Sequence, residues 1–225
     1  MSEEKKEKFA GDKKVGTSLL NFWEKKFIDK NVSKIPKFIE SHHLTYTTIL
    51  WSGLIILFSW FAKDNVQWLW GVSFSIFMQW LTDSFDGALG RYRKAGLIKW
   101  GYYMDHFLDY IFLCSILIGY SILLPDNFKF LHFFILALFG AFMVNSYLEF
   151  AASNKFKITY LKIGPTEIRI LFITINTLLI FFGKTYLKWS LPYVIAFSIL
   201  GLIYVVYTTQ KGLWESDKKN NKDLE

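Results

Sequence analysis

Cysteine occurs once in the 225 residues, at Cys114, which excludes an intrachain disulfide and a cysteine-rich zinc site. Histidine is almost as scarce, and His42, His43, His106 and His132 lack the paired spacing of metal ligands. The first forty residues have no continuous apolar stretch of the kind a cleavable signal peptide needs. No repeat and no second domain is visible. Gly183-Lys184-Thr185 looks like the end of a phosphate-binding loop, but the position of its first glycine is Leu178. What the chain has instead is apolar and aromatic: 52% hydrophobic residues, with 23 Phe, 12 Tyr and 9 Trp, at a mean hydropathy of +0.25. So many rings exceed what a soluble core of this size buries, whereas lipid accepts apolar rings and its interfaces favour Trp and Tyr. Collagen-like, disordered and disulfide-scaffold classes are excluded together, and packed membrane helices remain.

Apolar windows at 44–62, 66–82, 100–124, 130–152, 168–183 and 189–208 predict six spans, most of them near the ~20 residues that cross the hydrocarbon. The second and third are expected to run past the bilayer. Of the 26 Lys and Arg, only Lys63, Lys129, Lys184 and Lys188 fall on one side of that topology, so the positive-inside rule places both termini in the cytoplasm. The expected fold class is all-α: an integral membrane bundle of six transmembrane helices with an N-terminal amphipathic interfacial helix. Residues 1–43 form the basic N-terminal segment, 44–208 the six-span domain, and 209–225 a polar cytoplasmic tail, read as disordered. In the N-terminal segment Leu19, Leu20, Trp23 and Phe27 share one helical stripe, and Ile28, Val32, Ile35 and Ile39 another, with lysines among them. That pattern suits a helix on the anionic leaflet or one packed on the cytoplasmic ends of the spans. Trp68, Trp70, Trp100 and Trp189 read as interface anchors.

Ionisable groups beside apolar helices are costly, which draws attention to residues 81–110. Asp83 and Asp86 are three apart, and Asp105 and Asp109 four apart, so each pair occupies one helical face. Four neighbouring carboxylates repel one another unless a cation binds, their pKa values rise, or separate salt bridges form. An all-carboxylate set favours a hard cation such as magnesium, manganese or calcium. Gly87, Gly90 and Gly101 leave room for close approach of a ligand or a backbone. Arg91, Arg93, Lys94 and Lys99 are placed to meet phosphate oxygens.

The run Asp83-Ser-Phe-Asp86-Gly87-Ala-Leu-Gly90-Arg91, nine residues, then Gly101-Tyr-Tyr-Met-Asp105-His-Phe-Leu-Asp109 resembles the signature of the CDP-alcohol phosphotransferases. That signature reads D-x-x-D-G-x-x-A-R, a short spacer, then G-x-x-x-D-x-x-x-D. All four aspartates, both marked glycines and the arginine match, and Gly90 replaces the usual alanine. Residues 41–45 sit where many members carry P-N-x-x-T; Thr45 matches, and His42 stands in place of asparagine.

The resemblance implies transfer of a substituted phosphoryl group from a CDP-linked donor to an alcohol, with release of CMP. It implies two Mg²⁺ or Mn²⁺ ions held by Asp83, Asp86, Asp105 and Asp109, with Asp109 as general base. Thr45, Asp83, Gly87, Gly90, Arg91 and Gly101 would line the donor site. For the acceptor or lipid phosphate the candidates are Glu149, Glu167 and Arg169, with Lys155, Lys157 and Lys162 between them. Chain length is similar to that of bacterial members using CDP-diacylglycerol. His106 after Asp105, together with Gly164-Pro165-Thr166-Glu167, looks like the aminoalcohol branch that uses CDP-choline or CDP-ethanolamine. Membrane lipids and a second copy of the chain are the expected partners, and nucleic acid is not. A divalent-cation carrier and an inactive membrane scaffold are the rival classes. Clustering of the acids beside a basic loop, with all four present, argues against both.

Overall fold

The computed structural model describes residues 14–15, 18–153, 156–157 and 164–222. Helices dominate. After a two-residue strand, β1 (Lys14–Val15), come α1 (Asn21–Asn31), α2 (Ser41–Ala62), α3 (Leu69–Tyr92), α4 (Ile98–Leu123) and α5 (Phe130–Ser153). A second two-residue strand, β2 (Phe156–Lys157), pairs in parallel with β1, and α6 (Pro165–Phe182) and α7 (Thr185–Lys222) complete the order.

Helix ends follow local chemistry. Glu40 and His43 form a capping box at the start of α2, with the Glu40 amide donating to His43 Nδ1 at 3.1 Å. Pro165 opens α6, where a missing amide costs nothing. At the end of α3 the Ala95 amide reaches back to the Gly90 carbonyl at 3.0 Å, and Lys94 and Gly96 both take positive φ, turning the chain into α4.

α2, α3, α4 and α6 form the packed centre, while α5 and α7 lie mainly against each other. Ile55, Leu69, Ile76 and Ile116 are fully or almost fully buried there. In lipid such burial gains little from excluding water, so close approach and interhelical hydrogen bonds carry the association. Gly119 shows this: a Cβ at that position would lie 2.4 Å from Ser59 Oγ, so α4 touches α2 only because the side chain is absent. Asn176 of α6, wholly buried, donates to Ser73 Oγ of α3 at 3.1 Å and accepts from the Tyr120 hydroxyl of α4 at 3.0 Å. The outward faces carry Phe133, Phe134, Trp189, Phe197 and Leu200, all exposed.

Among the described residues, five helical segments are long and apolar enough to cross a membrane: Ser41–Ala62, Ile98–Leu123, Asp126–Ser153, Pro165–Phe182 and Leu187–Lys219. The remaining expected span corresponds to α3. Its 24 residues fall within the range of the others, 18 to 33, but Gln79, Asp83, Asp86 and Arg91 make it more polar. The window expected at 66–82 therefore continues ten residues further, to Tyr92, through the segment that carries two of the four aspartates.

That extension was expected, and the differences concern the ends of the chain. Residues 211–222, expected to be disordered, continue α7 to Lys222, because extending an existing helix needs no new nucleus; a Lys211–Glu215 pair at 3.9 Å lies on this stretch. At the other end, Ile28 and Val32 are buried against Ala88 and Leu89 of α3. Leu19, Phe22, Trp23 and Phe27 remain exposed. One of the two predicted stripes thus packs on a span end and the other faces outward.

Candidate active site

The signature aspartates come from two helices. α3 supplies Asp83 and Asp86, one turn apart, and α4 supplies Asp105 and Asp109 in the same way. Carboxylate oxygens of Asp83, Asp86 and Asp105 all lie within 4.8 Å of one another. At an effective dielectric of about 20, two unit charges at that separation repel by about 3.5 kcal/mol. Three such charges need a positive counterpart.

Arg169 provides one. Its Nη2 donates to Asp83 Oδ2 at 2.8 Å and to Asp109 Oδ1 at 3.2 Å, so the fourth aspartate is joined to the other three through the guanidinium. Nε of the same side chain donates to Gln79 Oε1 at 2.7 Å, and the guanidinium lies 5.4 Å from the Phe112 ring centroid. Only 6% of the Arg169 side chain is exposed, against 19% for Asp83 and 32% for Asp109. One guanidinium cannot balance four carboxylates. The remaining negative charge and the all-oxygen donor set fit a hard divalent cation.

Thr45 of α2 donates to Asp86 Oδ2 at 2.8 Å, and Asp86 is 8% exposed. Gly90 faces Ser41, with the position of an added Cβ 3.6 Å from that side chain. At Gly87 an added Cβ would meet Arg91 Nη1 at 3.3 Å, and at Gly101 it would meet no described residue within 4 Å. Arg91, Lys94 and Lys99 are exposed. Arg93, expected to meet phosphate, is engaged elsewhere: its guanidinium donates to the carbonyls of Ile35 and Pro36 at 3.0 Å each, and also to those of Lys37 and Ile39. It ties the linker before α2 to the end of α3.

The acceptor candidates separate. Arg169 is inside the carboxylate group. Glu167 instead accepts the amides of Gly164 and Leu20, each at 2.9 Å, as a cap on α6. Glu149 accepts from Thr209 Oγ1 of α7 at 3.2 Å. His106 Nδ1 lies 2.7 Å from the Tyr102 carbonyl, and its ring touches those of Tyr102 and Tyr147. Lys155, Lys162 and the side chain of Lys157 lie outside the described residues.

Two residues at the site were not singled out from sequence. Gln79 is fully buried one turn before Asp83, and a lone amide in the apolar run of α3 was its only signal. Glu24 of α1 accepts from Ser84 Oγ at 2.9 Å and from Thr166 Oγ1 at 2.8 Å. Nothing local marks it, since its partners are 60 and 142 residues away.

Comparison with known families matches residues 42–207 to the CDP-alcohol phosphatidyltransferase model. Comparison with curated proteins finds no match.

Proposed function

The chain belongs to the CDP-alcohol phosphatidyltransferase family, and from that premise we propose that it transfers a phosphatidyl group from CDP-diacylglycerol to a hydroxyl of a polar alcohol, releasing CMP. The observation that carries this reading is the convergence of Asp83, Asp86 and Asp105 oxygens within 4.8 Å, with Asp109 linked to them through Arg169. Mg²⁺ or Mn²⁺, as two ions on Asp83, Asp86, Asp105 and Asp109, would neutralise the donor pyrophosphate and the charge that develops on the departing CMP.

The chain's own groups do the rest. Asp109 takes the proton from the acceptor hydroxyl as its oxygen bonds to phosphorus and the bond from phosphorus to the CMP oxygen breaks. Arg169, fixed by Gln79, orients Asp109 toward that task and offers positive charge to a phosphate. Thr45 holds the Asp86 carboxylate in one orientation. Gly87, Gly90 and Gly101 admit the cytidine diphosphate close to the backbone, and Arg91 meets its phosphates. Glu149 and Glu167 act on the acceptor only indirectly, by fixing α7 and α6. With α3 taken as the sixth span, the uneven division of Lys and Arg between the two sides of that topology supports a site on the cytoplasmic side together with both termini. α1 lies in the interface with its exposed rings in lipid. The enzyme works as a homodimer.

A second reading, transfer from CDP-choline or CDP-ethanolamine to diacylglycerol, draws support from the rings of Tyr102, His106, Tyr147 and Phe150 between α4 and α5. Aromatic faces beside carboxylates attract an ammonium group.

CMP release by the purified protein in liposomes tests both. CDP-diacylglycerol is offered with serine, inositol, inositol phosphate, glycerol 3-phosphate, choline or phosphatidylglycerol, and CDP-choline or CDP-ethanolamine with diacylglycerol. Metal-dependent release with one pair is the expected result and selects the branch. Protein that binds neither donor nor Mn²⁺ contradicts both readings.

A further inference from the structure

α1 lies across the boundary between α3 and α6 at the level of the carboxylates, and two acidic side chains hold it there. Glu24 of α1 accepts from Ser84 of α3 through one oxygen and from Thr166 of α6 through the other, at 2.9 and 2.8 Å. In return, Glu167 of α6 accepts the Leu20 amide at the start of α1, at 2.9 Å. Below this clasp Ile28 and Val32 pack on Ala88 and Leu89, and the Phe27 ring lies 6.4 Å from Trp80 and 6.0 Å from Phe85.

The two hydroxyls that Glu24 engages are placed for a particular effect. Ser84 lies directly after Asp83 and two residues before Asp86. Thr166 lies three residues before Arg169, on the same face of α6. Arg169 in turn meets Asp83. Glu24 therefore closes a loop of contacts in which α1 sets how far the Arg169 guanidinium stands from the α3 carboxylates. Ionised acceptors make the stronger, shorter hydrogen bonds, and Glu24 uses both oxygens on separate helices.

We propose that Glu24 is a positioning residue, through which α1 fixes the spacing of α3 and α6 and so the geometry of Asp83, Asp86 and Arg169 for cation and donor binding. This inference rests on the function proposed above. Outer partners of a metal site typically change affinity or activity by about 10- to 100-fold when removed. Gln at the same position keeps one acceptor and gains a donor, and both hydroxyls can bond to it.

The test is Mn²⁺ binding by electron paramagnetic resonance on the full chain in nanodiscs, with kcat and KM for CMP release beside it. Glu24→Ala is expected to weaken Mn²⁺ binding by about tenfold and to raise KM for the CDP donor. Glu24→Gln is expected to stay within about threefold of wild type, because it keeps the hydrogen bonds. The double variant Ser84→Ala with Thr166→Ala should reproduce the Glu24→Ala loss, and it keeps the test open if Glu24→Ala does not fold. A lowered melting temperature with unchanged Mn²⁺ affinity in these variants would reduce Glu24 to a structural contact and overturn the proposal. Wild-type protein that binds no Mn²⁺ would overturn the functional reading and this inference with it.

Discussion

Thr45 and Asp86, 41 residues apart, are joined by a hydrogen bond of 2.8 Å across the packing of α2 on α3. Both are buried, so the Thr45 hydroxyl is a fixed part of the carboxylate's surroundings. Its second contact, to the Ser41 carbonyl at 3.2 Å, links that orientation to the first turn of α2.

Thr45→Val keeps the shape and removes the hydroxyl. An acceptor in the protein interior that loses its donor typically costs about 1 to 3 kcal/mol. The variant should fold, bind Mn²⁺ about tenfold more weakly, and show its defect in metal titrations of CMP release. Wild-type metal dependence in Thr45→Val would remove Thr45 from the site.

Asp109→Asn keeps a side chain of the same size beside Arg169 but cannot take a proton. Turnover should fall by about 10² to 10⁴, the range for a general base, while CDP-donor binding persists. Equilibrium binding of the donor and single-turnover CMP release separate the two quantities, and full activity would end the base assignment.

Asp83→Ala removes one of the three grouped carboxylates and one of the two partners of the Arg169 Nη2. Metal-dependent nucleotide binding should weaken by at least about tenfold. Calorimetric titration of the CDP donor with and without Mg²⁺ reads this directly; undiminished dependence on Mg²⁺ contradicts the assignment.

Gly119→Ala tests the packing beneath the site. The new methyl would meet Ser59 Oγ at 2.4 Å, and overpacking of this kind costs about 1 to 3 kcal/mol. Thermal unfolding in detergent should shift downward. The pair Gly119→Ala with Ser59→Ala should recover part of the loss, because it removes the atom in the way.

Much of the site was legible in sequence because charge in apolar surroundings is conspicuous. Four aspartates at spacings of three and four announce their own helical faces, and three of them do converge. Glu167 shows the reverse case. In Gly164-Pro165-Thr166-Glu167 it was taken as an acceptor candidate, yet an acid three residues after a helix start is also a capping signal, and the carboxylate binds backbone amides. Arg93 looked like one more phosphate-facing cation, and only its contact with residues 35–39 shows otherwise. Glu24 was invisible because its meaning lies in partners far along the chain, and Gln79 showed only as a lone amide in an apolar run. The extension of α3 past its apolar window was expected, whereas the end of α7 was misjudged, because there polar residues continue a helix that apolar residues have started.

α7 is 38 residues long, which at 1.5 Å per residue is about 57 Å, nearly twice the ~30 Å of hydrocarbon in a bilayer. The hydrocarbon can cover only part of such a helix, and its last turns, with Trp214, Lys218 and Lys219, are the part whose lysines suit water. A fluorophore attached there is expected to report polar surroundings, which its emission in liposomes would read against the same dye placed at the apolar middle of α7.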